Sequence, residues 1–175
     1  MDDLVRQAMA KWPDVPDCFG WLALDARGDW YLRDDAAQAA GAFGASPASR
    51  GAVLRHDKLL GFIRRNYAGD AAGRWFFQNG PQRVFVELEA APFVWRVADD
   101  FAVTAHTGQA AGPVAEALLD ERGRLYLVTP LGCGLVHSLD MLFAANAVEA
   151  GAWTPLPVAD AALEARCGFR RHPVA

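Results

Sequence analysis

At 175 residues, 53% hydrophobic and 22% charged, the chain can bury a sizeable core as one domain or as two small halves that share an interface. Its 17 basic and 21 acidic residues leave a formal charge of -4, which argues against a surface built to neutralise a nucleic-acid backbone. The acidic opening has no apolar stretch of the kind a secretory signal needs, and no apolar run is long enough to cross a bilayer, so the cytoplasm is the expected location.

Residues 2–12 place Leu4, Val5, Ala8, Met9 and Trp12 on one helical face, with Asp2 and Asp3 where carboxylates favour a helix start and Pro13 and Pro16 to end it. Residues 19–24 and 29–32 read as a hairpin turning at Gly28. From 33 to 50 the chain is rich in Ala, Gly, Ser and Pro and reads as an irregular insertion. Val53, Leu60, Ile63 and Tyr67 then recur at helical spacing, with Gly69 as the stop. Strand-like runs at 74–78, 83–88, 93–97 and 101–104 are separated by turn residues and predict an antiparallel meander. A second hairpin covers 115–119 and 124–128; a helix follows with Leu135, Leu139, Leu142 and Phe143 on one face and Gly151 as its stop. A short terminal helix is expected from Asp160 to Gly168.

Two of these stretches nearly repeat one another. Leu24-Asp25-Ala26-Arg27-Gly28 matches Leu119-Asp120-Glu121-Arg122-Gly123, each followed by a strand ending Tyr-Leu and then by Leu-x-His-x5-Phe, from Leu54 to Phe62 and from Leu135 to Phe143. The repeated unit is read as strand, turn, strand, helix. An α+β fold follows, with antiparallel sheets built from two copies of that unit, helices covering the sheet faces, and extra helices at both termini. Residues 1–98 would hold the first copy and the meander and residues 99–175 the second, unless both form one compact unit.

Familiar catalytic signatures are absent: there is no phosphate-binding Gly loop, no Gly-x-Ser-x-Gly elbow and no His-Glu-x-x-His. Cys18, Cys133 and Cys167 are odd in number and widely spaced, so neither a disulfide framework nor a metal site is expected, and no cofactor is implied. His56 and His137 occupy the same place in the two copies, which favours packing or hydrogen bonding; a paired ligand site is the sharper alternative. Cys133, between two glycines and just before the expected helix, would have its thiolate favoured there, with His137 four residues on as the activating base.

The richest polar band runs from Arg64 to Arg83. Arg64, Arg65, Arg74 and Arg83 could take a carboxylate or phosphate through their forks, Tyr67 and Trp75 could stack on a planar group, and Gln78 and Asn79 supply amides, with His56 near by. A solvated helix end followed by an ordinary Asn-Gly hairpin is the plainer reading.

With the elements placed, the order of phrases resembles a known family. Gly28-Asp29-Trp30-Tyr31, Ser46-Pro47, Arg50, Asp70 with Gly73-Arg74-Trp75-Phe76, Ala91-Pro92-Phe93-Val94, Phe101-Ala102-Val103-Thr104 and Leu125-Tyr126-Leu127 are similar to an uncharacterised bacterial family of small cytosolic proteins. Residues 78–83 and the tail depart from its pattern, as in a sister family. The resemblance implies two similar α+β halves and a role suggested to lie in signal transduction, and it supplies no catalytic residue.

The expectation is therefore a protein of unknown function that acts as a non-enzymatic ligand-binding or regulatory module. The alternatives are an unconventional enzyme using Cys133 and His137, and a protein-protein interaction scaffold. Expected partners are a small anionic metabolite or another protein, with a homodimer left open, and neither nucleic acid nor a membrane.

Overall fold

The computed structural model describes residues 1–175 and divides into two compact units. The first comprises residues 1–25, 29–89 and 170–175; the second comprises 26–28 and 90–169. Each is built on one six-stranded mixed sheet with few helices, an α+β architecture. No helix is long and apolar enough to cross a membrane.

The first unit runs α1 (Asp3–Lys11), β1 (Cys18–Leu24), β2 (Trp30–Leu32), α2 (Asp35–Ala39), β3 (Ala52–Val53), α3 (Asp57–Arg65), β4 (Tyr67–Gly69), β5 (Trp75–Asn79) and β6 (Gln82–Leu88), with sheet order β3-β2-β1-β6-β5-β4. Its outer pairs are antiparallel, but β1 and β6 are parallel. The chain between them includes α3, and a helical return is what lets two strands run the same way. Leu24 on β1 and Phe85, Val86 and Leu88 on β6 are fully buried, as expected for central strands. Helix α3 packs on β5 through an edge-to-face contact of Phe62 with Phe77, ring centroids 5.4 Å apart.

The second unit runs β7 (Phe93–Val97), β8 (Val103–Ala105), β9 (Glu116–Leu119), β10 (Leu125–Thr129), β11 (Gly132–Val136), a 3-10 turn at Ser138–Asp140, α4 (Met141–Glu149), β12 (Pro155–Pro157), a second 3-10 turn at Asp160–Ala162, and α5 (Leu163–Cys167). The order is β12-β9-β10-β11-β7-β8, with parallel pairing of β11 to β7 and of β12 to β9. A glycine is required in β11: a Cβ on Gly134 would lie 2.5 Å from the indole of Trp95, which is fully buried and donates its Nε1–H to the Leu127 carbonyl at 2.9 Å.

The repeated phrase is a turn, and the structure holds three of them. In each, an aspartate side chain caps a loop closed by a glycine at positive φ: Gly28 at 86°, Gly73 at 78° and Gly123 at 74°. Asp120 Oδ1 accepts from the backbone N–H groups of Arg122 and Arg124 at 2.9 and 2.8 Å, while Oδ2 takes the Arg124 Nε–H at 2.7 Å. Asp70 repeats this with Ala72 and Arg74, at 3.0, 2.9 and 2.9 Å. In the first copy Asp29 stands where the others have arginine, so Asp25 Oδ2 is met instead by Arg50, at 3.3 Å. The duplicated histidines are helix caps: Nδ1 of His56 accepts from Leu59 N–H ahead of α3, and Nδ1 of His137 accepts from Leu139 N–H in the 3-10 turn ahead of α4.

Several expectations are corrected. The sheets are mixed rather than antiparallel, and the meander is split, with β5 and β6 in one sheet and β7 and β8 in the other. Residues 33–50 are not irregular throughout, because Asp34 caps α2 by accepting from Ala37 N–H at 2.9 Å. Helix α3 stops at Asn66, and Tyr67 and Gly69 belong to β4. Residues 132–136 form a strand, the helix beyond it begins later, and Leu139 and Leu142 are exposed instead of packing on the sheet. The repeated unit therefore has three strands before its helix. After α5 the chain returns to the first unit, where the Arg171 carbonyl accepts from Leu88 N–H at 2.8 Å.

Candidate functional site

The predicted band does not converge as a whole, because most of its cations are closed by carboxylates of the same unit. Arg65 grips Asp2, with Nε 3.2 Å from Oδ1 and Nη2 3.2 Å from Oδ2. Arg74 pairs with Asp70 across its turn and lies 4.7 Å above the Phe85 ring. Arg64 is half-buried, with its Nε lacking a partner. Tyr67 is wedged between Trp30 and Trp75, with ring centroids 5.3 and 5.0 Å away, and burial pushes its phenol well above the ordinary value. His56 is spent on its cap, and Asn79 is exposed in the β5–β6 turn.

Gln78 and Arg83 do meet, in a groove of about 400 Å³ between α1 and the β5–β6 hairpin. Met9, Trp12, Pro13, Val15 and Pro81 form its apolar walls. The position of α1 is fixed at its start, where Asp2 N–H donates to Asn66 Oδ1 at 2.8 Å and Asp2 meets Arg65. The segment after the helix is fixed by Gln82, which donates to the Pro16 carbonyl at 3.1 Å, and by Arg83, whose Nε and Nη2 reach Asp17 at 2.9 and 2.8 Å. The Arg83 guanidinium also lies 5.7 and 5.5 Å from the centres of the Phe76 and Phe85 rings, so it is held in place on both sides. Gln78 is almost wholly buried; its backbone N–H donates to the Asn66 carbonyl and its Nε2 to the Gly80 carbonyl at 3.0 Å, which fixes the orientation of the amide. Trp12 is half-exposed at the rim, with the Lys11 ammonium 4.5 Å from its ring centre.

The groove thus combines one cation, one carboxylate, a fixed amide and an accessible indole, with the Lys11 ammonium against that indole. Such a set can hold a small flat anion. It contains no nucleophile paired with a base. Sequence spacing missed the contribution of α1, because Asp17 and Arg83 are 66 residues apart.

Sequence reasoning also missed a buried charged network in the insertion. Arg33, 2% exposed, donates to the carbonyls of Ser49 at 2.8 Å and Ala37 at 3.1 Å and to that of Gly41. Glu87 lies 3.8 Å from it and accepts from Phe43 N–H, while His172 Nδ1 sits 2.8 Å from the same carboxylate. Burial opposes ionisation of Glu87, but the contacts with His172, Phe43 and Arg33 outweigh it and hold its carboxyl below the usual range. This network saturates its own groups and anchors the insertion.

Cys133 is not at a helix start. It is buried in β11, and His137 is occupied in capping the 3-10 turn, so the expected thiol–imidazole arrangement is not formed.

A family model described as "Protein of unknown function (DUF2946)" matches residues 1–174. The chain belongs to that family. No curated protein matches it. Among solved structures, the fold is similar to the crystal structure of a DUF1285 family protein from Silicibacter pomeroyi DSS-3, with a TM-score of 0.51 and 14% identity, covering 83% of this chain and 84% of that one. At that identity the likeness extends to the fold. Membership of an uncharacterised family assigns no reaction, and no specific function comes with it.

Proposed function

We propose that this family member is a non-enzymatic binding module whose α1–hairpin groove holds a small planar anion, such as an aromatic carboxylate. The carrying observation is that Arg83, Gln78 and Trp12 meet in one groove while Arg65 and Arg74 are tied to carboxylates elsewhere. Asp17 takes Nε and Nη2 of Arg83, which leaves Nη1 to donate to a ligand carboxylate. The ring of the ligand would lie along Trp12 and Pro81, and Lys11 would add a second positive charge at the rim. On this reading a regulatory, signal-transduction role in the cytoplasm would be exerted through occupancy of the groove rather than through a reaction.

A thermal-shift screen of aromatic carboxylates and nucleotides on the full chain tests the reading. Hits should lose about 10–100-fold in affinity in Arg83→Ala, the worth of one charged hydrogen bond, and should weaken in Trp12→Ala, whose indole is too exposed to be needed for folding. Ligands that bind both variants as tightly as the wild type would overturn it.

A further inference from the structure

The arginine of the α1–hairpin groove is compensated by the fold itself. Cys18 pairs with Val84 in the parallel register of β1 and β6, so the residues one step earlier, Asp17 and Arg83, stand side by side at the strand starts. Both Asp17 oxygens are engaged, accepting from Arg83 Nε and Nη2 at 2.9 and 2.8 Å, while the Phe76 and Phe85 rings hold the guanidinium in place. Nη1 keeps its donors, but Asp17 and Arg83 are the charged side chains of the lining, and their charges cancel. The Lys11 ammonium, 4.5 Å from the Trp12 ring centre, adds one positive charge at the rim. Met9 belongs to the last turn of α1 and Trp12 ends the helix, and the carbonyls there carry partial negative charge. Donors therefore remain for an anion, with positive charge for only one.

We propose that the groove selects singly charged aromatic anions against doubly charged phosphates and nucleotides, and that Asp17 is the residue that sets this preference. The inference rests on the groove being the binding site and adds the charge class of what enters it. A monoanion takes its hydrogen bonds from Arg83 Nη1, and its charge is balanced by Lys11. A dianion loses more hydration on entry, and its second charge meets the Asp17 carboxylate with no cation left over. Phosphate sites meet that cost with several cations or with the backbone N–H groups of a helix start. This lining offers one arginine, already compensated.

Benzenesulfonate and phenylphosphonate have the same shape and differ by one charge at about pH 9, where the phosphonate is a dianion. Both are titrated calorimetrically into the full chain, with benzoate as the planar reference. Benzoate and benzenesulfonate should bind at least about tenfold more tightly than phenylphosphonate. Asp17→Asn removes the charge and keeps one acceptor for the guanidinium. Because the gain scales with ligand charge, that variant should bind phenylphosphonate about tenfold and benzenesulfonate about threefold more tightly than the wild type, which narrows the gap. Should Asp17→Asn fail to fold, the wild-type comparison decides alone. Arg83-dependent binding of both probes with a gap under about threefold, or a gap unchanged in Asp17→Asn, would overturn the charge selection while leaving the groove as the site. Benzoate and benzenesulfonate that do not bind, or that bind Arg83→Ala as tightly as the wild type, would overturn the groove reading and this inference with it.

Discussion

Replacing Asp120 by alanine removes three hydrogen bonds at once, two to backbone N–H groups and one to Arg124 Nε, all between 2.7 and 2.9 Å. The Asp120 carboxylate has no exposed surface, so water cannot take over, and the Arg124 charge keeps only Asp160, 2.7 Å away. A net loss of roughly 1–1.5 kcal/mol per bond, plus the cost of donors left without partners, gives about 3–5 kcal/mol. Asp120→Asn keeps one oxygen for the two backbone donors but sets an NH2 against the Arg124 Nε–H, so it loses that hydrogen bond and the carboxylate charge, which should cost about half as much. The same alanine change at Asp70, whose carboxylate is 15% exposed, should cost less than at Asp120 because water can replace part of what is lost. Urea unfolding followed by tryptophan fluorescence, with hydrogen exchange over residues 116–129, gives the three numbers. If Asp120→Asn is as damaging as Asp120→Ala, the charge pair and not the backbone cap carries the turn, and the reasoning fails; so it does if Asp120→Ala costs under about 1 kcal/mol.

Asp140 gives the clearest pH dependence. Hydrogen bonds from the Arg96 fork at 2.6 and 3.0 Å hold its carboxyl below the usual range against burial, with Val97 N–H and the charge of Arg96 adding to the effect. A lowered folded pKa means that this stabilisation is complete above the unfolded carboxylate value of about 3.9 and fades as pH falls through the folded one, so Asp140→Asn should flatten the acid limb of a stability-pH curve. Gly134→Ala forces a Cβ against the Trp95 indole and should destabilise by about 3 kcal/mol in the same urea assay. Of the two histidine caps, the buried His137 should cost about 1 kcal/mol on change to alanine and the exposed His56 about 0.5 kcal/mol, measured by denaturant midpoint.

The hairpins at Gly28 and Gly123 were legible because Asp-x-x-Gly imposes its conformation within five residues. The equivalent turn at Asp70 went unpaired with them because no Leu precedes the aspartate and the neighbouring aromatics obscured the match. The 132–136 strand was hidden by Leu135, Leu139, Leu142 and Phe143, whose helical spacing is genuine but accidental: Gly134 is set by the Trp95 indole, a contact 39 residues away in the chain and invisible to any local period. The three parallel pairings were lost for the same reason, since strands related by long returns leave no turn signature between them. The arginine band illustrates a further limit. Composition located Arg65, Arg74 and Arg83, but whether each fork is open depends on Asp2, Asp70 and Asp17, and two of those three partners come from the distant start of the chain.

The central claim is that the α1–hairpin groove is where this protein meets its ligand. Its most direct test is a titration of the uniformly 15N-labelled chain with the best aromatic carboxylate from the screen, reading the indole Nε1–H of all six tryptophans and the side-chain amide of Gln78. Saturable shifts at Trp12 and Gln78 and at the Arg83 Nη1 protons, with Trp153 unmoved, are the predicted result; shifts centred on another tryptophan, with Trp12 and Gln78 silent, would contradict it.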